Sequence, residues 1–589
     1  MRTRILIYLL IIAGWYVFIS NILLPIFYGY DFFIGYAAAL INKKQRIGSI
    51  REHLSIGNFN IIRIAICVAT IILMACTGYI FLKVDKVRNV LLRYFSVFQR
   101  ALNVWKRNWQ QSSNVSKAIF SLAIVYLVVQ SVLLMGKLLY LHDETYTVHS
   151  FILPGPIVAA TFYPYPNNHI FFSIVSWPFK YLPLPPAYAF RLPSLMAIIL
   201  TCFVLYMLIK KTANDLIASL LVFIFVLMLP VMLFAAQARG YSFIFLFFSL
   251  VLYCAIEFVQ TNKMVYNKLF CLFSILGFYT LPSFMYPFAV VIIASSLQLL
   301  FAKKTHALLQ FIKYNVIAGM VILLLYLPII FTSGGWAGFL KVIYVGYDES
   351  HTNSINNLEN FYLGIYPYQF FEKRIVAGAF FVVLIIWAIQ MSLSKLKGMS
   401  DYQRSILFYG TVGLLMPFIS FMVQHKMQPE RIHSYMAICL VLLCALMLSS
   451  IKGAMVKNLI AVLTLVLVCC LNISYAWKSK MVNNESNSSK IAWDLTNKVF
   501  ENRSNGIDTC YSFDLYYTNT LQMKWALNKR DIVIYQIEAN SPSSKIFDLN
   551  DHYPWIISTH NHPIQDSVRL HAAYTPILVR KEAVLWKRK

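Results

Sequence analysis

Acidic residues are scarce in this chain. There are 24 Asp and Glu against 51 Lys and Arg in 589 residues, and most of the acids lie in loops or the C-terminal tail. Cysteine supplies no framework either: nine of ten fall in apolar runs and Cys510 stands alone in a polar region, so a disulfide scaffold is excluded. No Cys/His spacing of the metal-binding kind occurs. There is no solenoid repeat, and no low-complexity tract beyond the linker KSKMVNNESNSSK. Charged residues in mid-span and repeats relating the two halves, the marks of many transporters, are not evident. The N-terminus, MRTRILIYLLIIAGWYVFISNILLPIFY, has a basic start but lacks a small-residue cleavage site, and reads as a retained anchor.

Long apolar runs are what the chain has in abundance. It is 59% apolar, and the runs recur from end to end. Lipid satisfies no backbone polar groups, so such runs must be helices that satisfy their own. The fold class is a polytopic α-helical membrane protein with about thirteen spans of roughly 20 residues. These are expected near 4–28, 60–82, 118–140, 189–209, 214–234, 240–260, 267–282, 284–302, 314–332, 375–394, 405–423, 432–450 and 458–476. The stretch 168–182 is apolar but short and reads as a helix lying on the membrane. The net charge of +27 does not signal nucleic acid, because much of it sits in short loops between apolar runs, where it sets orientation and meets anionic lipid.

Those loops fix an expected topology. Five on one side carry Lys210-Lys211, Lys263 and Lys268, Lys303-Lys304 and Lys313, Lys395-Lys397 with Arg404, and Lys452 with Lys457. The three opposite carry only Arg239, Lys426 and Arg431, so the first set is cytoplasmic. The basic loop 41–59 fits this count poorly, and an extra hairpin within 4–42 would move it inside. Three regions are expected: 1–117, extra N-terminal spans with a basic segment on the cytoplasmic membrane surface; 118–477, a membrane domain carrying the chemistry; and 478–589, a small soluble α/β domain on the outer side. In the last, IAWDLTNKVF is helix-like, while DIVIYQI and PWIIS are strand-like.

The most informative residues are Asp143-Glu144, which follow the apolar run Ala118–Tyr140. A carboxylate beside a bilayer is costly to desolvate and tends to be functional or paired. At the membrane boundary it can take the proton of an acceptor hydroxyl as general base. A lipid phosphate leaves as a stable anion and needs no general acid, unlike a glycosidase reaction with its two flanking carboxylates. Arg239, followed by Tyr241 in QARGYSF, and Arg431 with His433 in QPERIHSYM, stand at outer ends of spans. They suit a phosphate clamp, and equally interfacial anchoring. Asn168-His169 can bind substrate or be structural. The aromatics Phe162-Tyr163-Pro164-Tyr165 can stack on a sugar or simply mark the interface. Asp348-Glu349 and Glu257 receive no firm role.

The order of these motifs resembles a known family. An outer loop opening on Asp-Glu, then YPYPNNHIFFSIVSWPF, then FRLPSLM, then ARGYSFIFLFFSLVLY is similar to the GT-C superfamily of membrane glycosyltransferases. The nearest branch is the bacterial one related to protein O-mannosyltransferases and the lipid A aminoarabinose transferase (glycosyltransferase family 39-like). The likeness covers about residues 118–450. It implies a GT-C-type bundle with Asp143 and its neighbour Glu144 in the catalytic place, Arg239 binding substrate and His169 at a family motif; Tyr241, Asn168, Arg431 and His433 are further substrate-binding candidates from the residues themselves. His169 stands where many members carry His-Pro-Pro; here the prolines are missing. The implied reaction is inverting sugar transfer from a polyprenyl-phosphate donor to a glycan, lipid or protein acceptor at the outer face of a bacterial inner membrane. No cofactor is required by this reading. Asp143 and Glu144 offer oxygen ligands to a divalent metal, though no second acidic motif accompanies them. An O-antigen ligase or polymerase type of enzyme and a non-catalytic lipid or glycan transporter are the alternatives.

Overall fold

The computed structural model describes residues 27–40, 55–332 and 399–478 apart from short gaps, 491–499, and strand segments between 508 and 589, with scattered residues elsewhere. The expected spans 4–28 and 375–394, the basic residues of loop 41–59, and most of loop 333–374 including Glu349 fall wholly or largely outside the described residues. Within them, seven helices are long and apolar enough to cross a membrane, and a bent pair makes an eighth. Three shorter apolar helices, Met264–Thr280, Met436–Ser450 and the one beginning near Met455, account for the rest of the eleven spans expected in this part of the chain. The chain is a polytopic α-helical membrane protein.

The helix Tyr241–Thr261 is buried along most of its length, whereas Ile56–Leu82 and Thr305–Thr332 expose apolar side chains along most of theirs. Lipid tolerates such faces, so helix association here rests on packing and polar contacts. The packing is close at Gly410 and Gly413, where an added Cβ would lie 2.5 Å from Leu443 Cγ and 2.3 Å from Cys439 Sγ.

Two devices place the site. Pro230 stands in the first turn of Leu229–Ala235, where a continuous helix would lose a hydrogen bond and clash with the preceding turn. The chain therefore breaks at extended Met228, and Asp215–Leu227 and Leu229–Ala235 meet at 69°. That bend delivers the turn 236–240 to the end of the bundle where Arg191 begins the helix Leu192–Lys210.

The opposite end is tied by polar contacts. Lys210 Nζ donates to the Asn108 carbonyl at 2.6 Å, Ser116 and Ser219 hydroxyls meet at 2.7 Å, and Lys211 pairs with Glu257. The first of these contacts anchors one end of the basic segment, which is a single amphipathic helix, Val84–Gln110, with Trp105 and Trp109 against Phe203 and Phe120. The stretch expected to lie on the membrane is a short helix, Ile170–Ser176, continued by a 3₁₀ turn, Trp177–Tyr181. Neither is long enough to span.

The C-terminal region holds a five-stranded mixed sheet: β3 (Asp508–Ser512), β4 (Ile532–Gln536), β5 (Trp555–Thr559), β6 (Tyr574–Val579) and β7 (Ala583–Arg588), in the order β4-β3-β5-β7-β6. Strand β3 runs parallel to both β4 and β5, and β7 is antiparallel to β5 and β6. Residues 491–499 are helical and pack Ala492, Leu495 and Val499 against Trp555, Ile557 and Leu585. The strands β1 (Tyr347–Asp348) and β2 (Lys426–Met427) pair antiparallel and tie the long loop beside residues 430–433.

Candidate active site

The short helix His142–Thr147 presents its two acids to different surroundings. Glu144 is fully buried. Its carboxylate accepts from Arg191 Nε at 2.9 Å and Nη2 at 2.8 Å, from the Ala238 backbone N–H at 2.6 Å, and from the Leu141 backbone N–H at 3.2 Å. Arg191, also fully buried, donates Nη1 to the Met135 carbonyl at 3.0 Å and lies over the Tyr140 ring at 4.6 Å. Four donors on a sealed carboxylate leave no lone pair aimed at a substrate. The catalytic place expected for Glu144 is therefore corrected: it joins Arg191 in a bidentate buried pair that clamps residues 135–144, the start of Leu192–Lys210, and the turn that carries Arg239.

Asp143, one residue earlier, is 24% exposed. Its Oδ2 accepts from Arg239 Nη1 at 2.5 Å, and its Oδ1 from Asn167 Nδ2 at 2.9 Å. Arg431 Nη1 stands 3.9 Å from the same Oδ2, its side chain 41% exposed. Asn167 also accepts from Arg239 Nη2 at 3.4 Å, so it bridges acid and base. Residues distant in sequence by up to several hundred positions thus share one carboxylate.

Arg239 is almost completely buried and lies over the Tyr241 ring at 5.1 Å; Tyr241 in turn stacks on Phe234 at 4.5 Å. Its Nε has no hydrogen-bond partner among the described residues. His169 lies alongside, with Nε2 3.3 Å from Arg239 Nη2. Burial first, then the neighbouring Arg239, holds the His169 imidazole well below its ordinary range, against a smaller opposing pull from Asp143. The ring is neutral at physiological pH. The Gly240 backbone N–H donates to its Nδ1 at 2.6 Å, which places the ring hydrogen on Nε2. Arg239 and His169 therefore set N–H donors side by side, the arrangement an oxyanion accepts from.

Gly240 makes that contact feasible. A Cβ there would fall 2.7 Å from Thr280 Cγ2, 2.8 Å from His169 Nδ1 and 3.0 Å from His169 Cβ. Gly240→Ala is expected to cost about 1–3 kcal/mol in stability through overpacking, and to lower turnover by up to about 100-fold by displacing His169. Thermal unfolding and turnover measured on one preparation check both; an unchanged turnover would show that the His169 position is immaterial.

Other expectations are met differently. Asn168 is buried and donates to the Ala159 carbonyl at 2.7 Å, holding its own loop, and the adjacent Asn167 is the one that reaches Asp143. His433 is buried between Tyr286 and Tyr435, ring centroids 5.4 and 6.0 Å away, while Arg431 two residues earlier faces Asp143. Tyr163 is buried against Tyr326 and Ile329 and is not placed to stack on a sugar; Phe162, Pro164 and Tyr165 are outside the described residues. Sequence reasoning missed Arg191 and Asn167. The signal for Arg191 was present in FRLP, a charge directly ahead of an apolar helix that must find a counter-charge when buried.

The donor set does not suit a divalent cation. Both Asp143 oxygens are engaged by Arg239 and Asn167, both Glu144 oxygens by Arg191 and backbone N–H groups, and the nearest neighbours of Asp143 are cationic. Among the described residues no group of three His, Cys, Asp or Glu stands close enough to hold a metal.

No family model matches the sequence, and no curated relative does. Among solved structures, the chain is similar to ArnT from Cupriavidus metallidurans in the apo state, at 10% identity and a TM-score of 0.37 over 79% of this chain and 97% of that one. It is also similar to the oligosaccharyltransferase AglB of Archaeoglobus fulgidus, solved with an inhibitory peptide and a dolichol-phosphate, at 10% identity and a TM-score of 0.41 over 76% and 70%. Both are GT-C superfamily members. Likeness at these TM-scores assigns no chemistry to this chain, which rests on its own residues.

Proposed function

We propose that this chain is an inverting membrane glycosyltransferase that moves a sugar from a polyprenyl-phosphate carrier to an acceptor hydroxyl. The observation that carries the reading is Asp143: a partly exposed carboxylate touching Arg239, with Arg431 3.9 Å away and His169 beside the guanidinium. The acceptor hydroxyl gives its proton to Asp143 while its oxygen bonds to the sugar's anomeric carbon from the face opposite the phosphate. The bond from that carbon to the phosphate oxygen breaks, and the polyprenyl phosphate leaves with the electron pair. Its charge is taken by Arg239, assisted by His169 Nε2–H and the more exposed Arg431. Fixed donors in a site shielded from water act most strongly on such developing charge.

Glu144 and Arg191 serve as positioning residues, and Asn167 orients the base. The site faces the outer side of the bacterial cytoplasmic membrane, following the Lys and Arg bias of the loops. The region 478–589 lies on that side, frames the site mouth and helps select a glycan, lipid or protein acceptor. Its contact with the membrane region includes Trp493 stacked on Tyr140, the ring that covers Arg191.

The test is transfer in vitro from a panel of polyprenyl-phosphate sugars by the purified full chain. Turnover of none of them, in a preparation that is folded, would overturn the reading. Arg239→Lys should weaken donor affinity by about tenfold or more, since a point charge lacks the planar fork. Unchanged donor affinity in that variant would return Arg239 to the role of interfacial anchor.

A further inference from the structure

We infer that the Asp143–Arg239 pair is a latch released by the donor's phosphate, so that Asp143 becomes a competent base only after the donor has bound. This rests on the functional reading above and goes beyond it by assigning a binding order. The group that must accept a proton is already engaged: its Oδ2 takes a charge-assisted hydrogen bond from Arg239, with Arg431 close by. A carboxylate so paired is a weak base. An acceptor arriving first meets a base that is engaged.

Arg239 has a second set of donors turned away from Asp143. Its Nε is unpartnered among the described residues, and its Nη2 lies beside His169 Nε2, where the two make only long contacts. A phosphate oxygen accepting from these groups competes with Asp143 for the same buried cation. The guanidinium carbon lies 5.1 Å from the centre of the Tyr241 ring, which bounds one side of the cation. Asn167 Nδ2 stays on Oδ1 through that change, so Asp143 keeps its orientation as the ion pair weakens. Base strength and donor occupancy are thereby coupled through one side chain. The expected order is donor first, acceptor second.

A double-mutant cycle on the full chain in detergent tests the latch without turnover, using undecaprenyl phosphate as probe and inorganic phosphate in a parallel arm. Asp143→Asn frees Arg239 and should tighten undecaprenyl phosphate binding by about five- to tenfold, the range of a partly exposed charge pair. In the Arg239→Gln background the same change should alter affinity by less than about twofold, because there is no latch left to release. Equal tightening in both backgrounds would mean simple charge repulsion and overturn the proposal, as would no tightening in either. Should Arg239→Gln not fold, Arg239→Lys is the second background, where the coupling should fall to less than half. The same pattern with inorganic phosphate at weaker affinity assigns the latch to the phosphate itself; a pattern confined to the lipid assigns it to the seated carrier. If Arg239→Gln alone leaves undecaprenyl phosphate binding at the wild-type level, the functional reading fails first, which separates the two.

Discussion

Asp143→Asn leaves a folded protein whose transfer rate is lower by about two to four orders of magnitude, the contribution of a positioned general base. The amide keeps the shape of the carboxylate. It carries no charge to hold Arg239, and it cannot take the acceptor's proton. Arg239, almost completely buried, loses its charged partner in this variant, so some loss of stability is expected and thermal unfolding is measured beside activity. The loss belongs in kcat while donor affinity holds or improves, which separates loss of the base from loss of the site. Turnover at the wild-type rate would remove Asp143 from the mechanism.

Arg191→Leu has the opposite signature. It strips two side-chain donors from a carboxylate that is fully buried, and breaking a buried pair by removing one partner costs about 3–5 kcal/mol. The variant should be recovered in low yield with a much reduced unfolding temperature, and with little activity in what remains. Replacing both partners, Glu144→Gln with Arg191→Met, should recover much of the stability, because no uncompensated charge is left inside. Thermal unfolding in one detergent compares the three proteins. A single variant as stable as the parent would show that the pair does not hold the site.

Much of the helical architecture was legible in the sequence because bilayer thickness and backbone hydrogen bonding permit few alternatives. Every expected span within the described residues has a helix. The bend at Met228 was less legible, since apolar composition continues across it and only Pro230 marks the break. In the candidate site, Asp143, Arg239 and Arg431 could be picked out as charges at the ends of apolar runs, and the structure brings the three together. The division of labour within Asp143-Glu144 could not be read. Adjacent acids look alike in a sequence, and what separates them is which one meets Arg191, a residue 47 positions later. Asn167 was hidden for the same reason: a neutral amide in a loop carries no signal until its two partners are in place.

The Glu144 clamp also orders the protein's biogenesis. Glu144 emerges from the ribosome first, while Arg191 follows 47 residues later and Ala238, which donates its backbone N–H, 94 residues later. Until the helix Leu192–Lys210 has been inserted and the chain has turned back at Pro230, the carboxylate must remain at the water boundary. A chain stalled before that point carries an acid with no place in the bilayer. The same charge that fixes the finished site thereby marks an unfinished one.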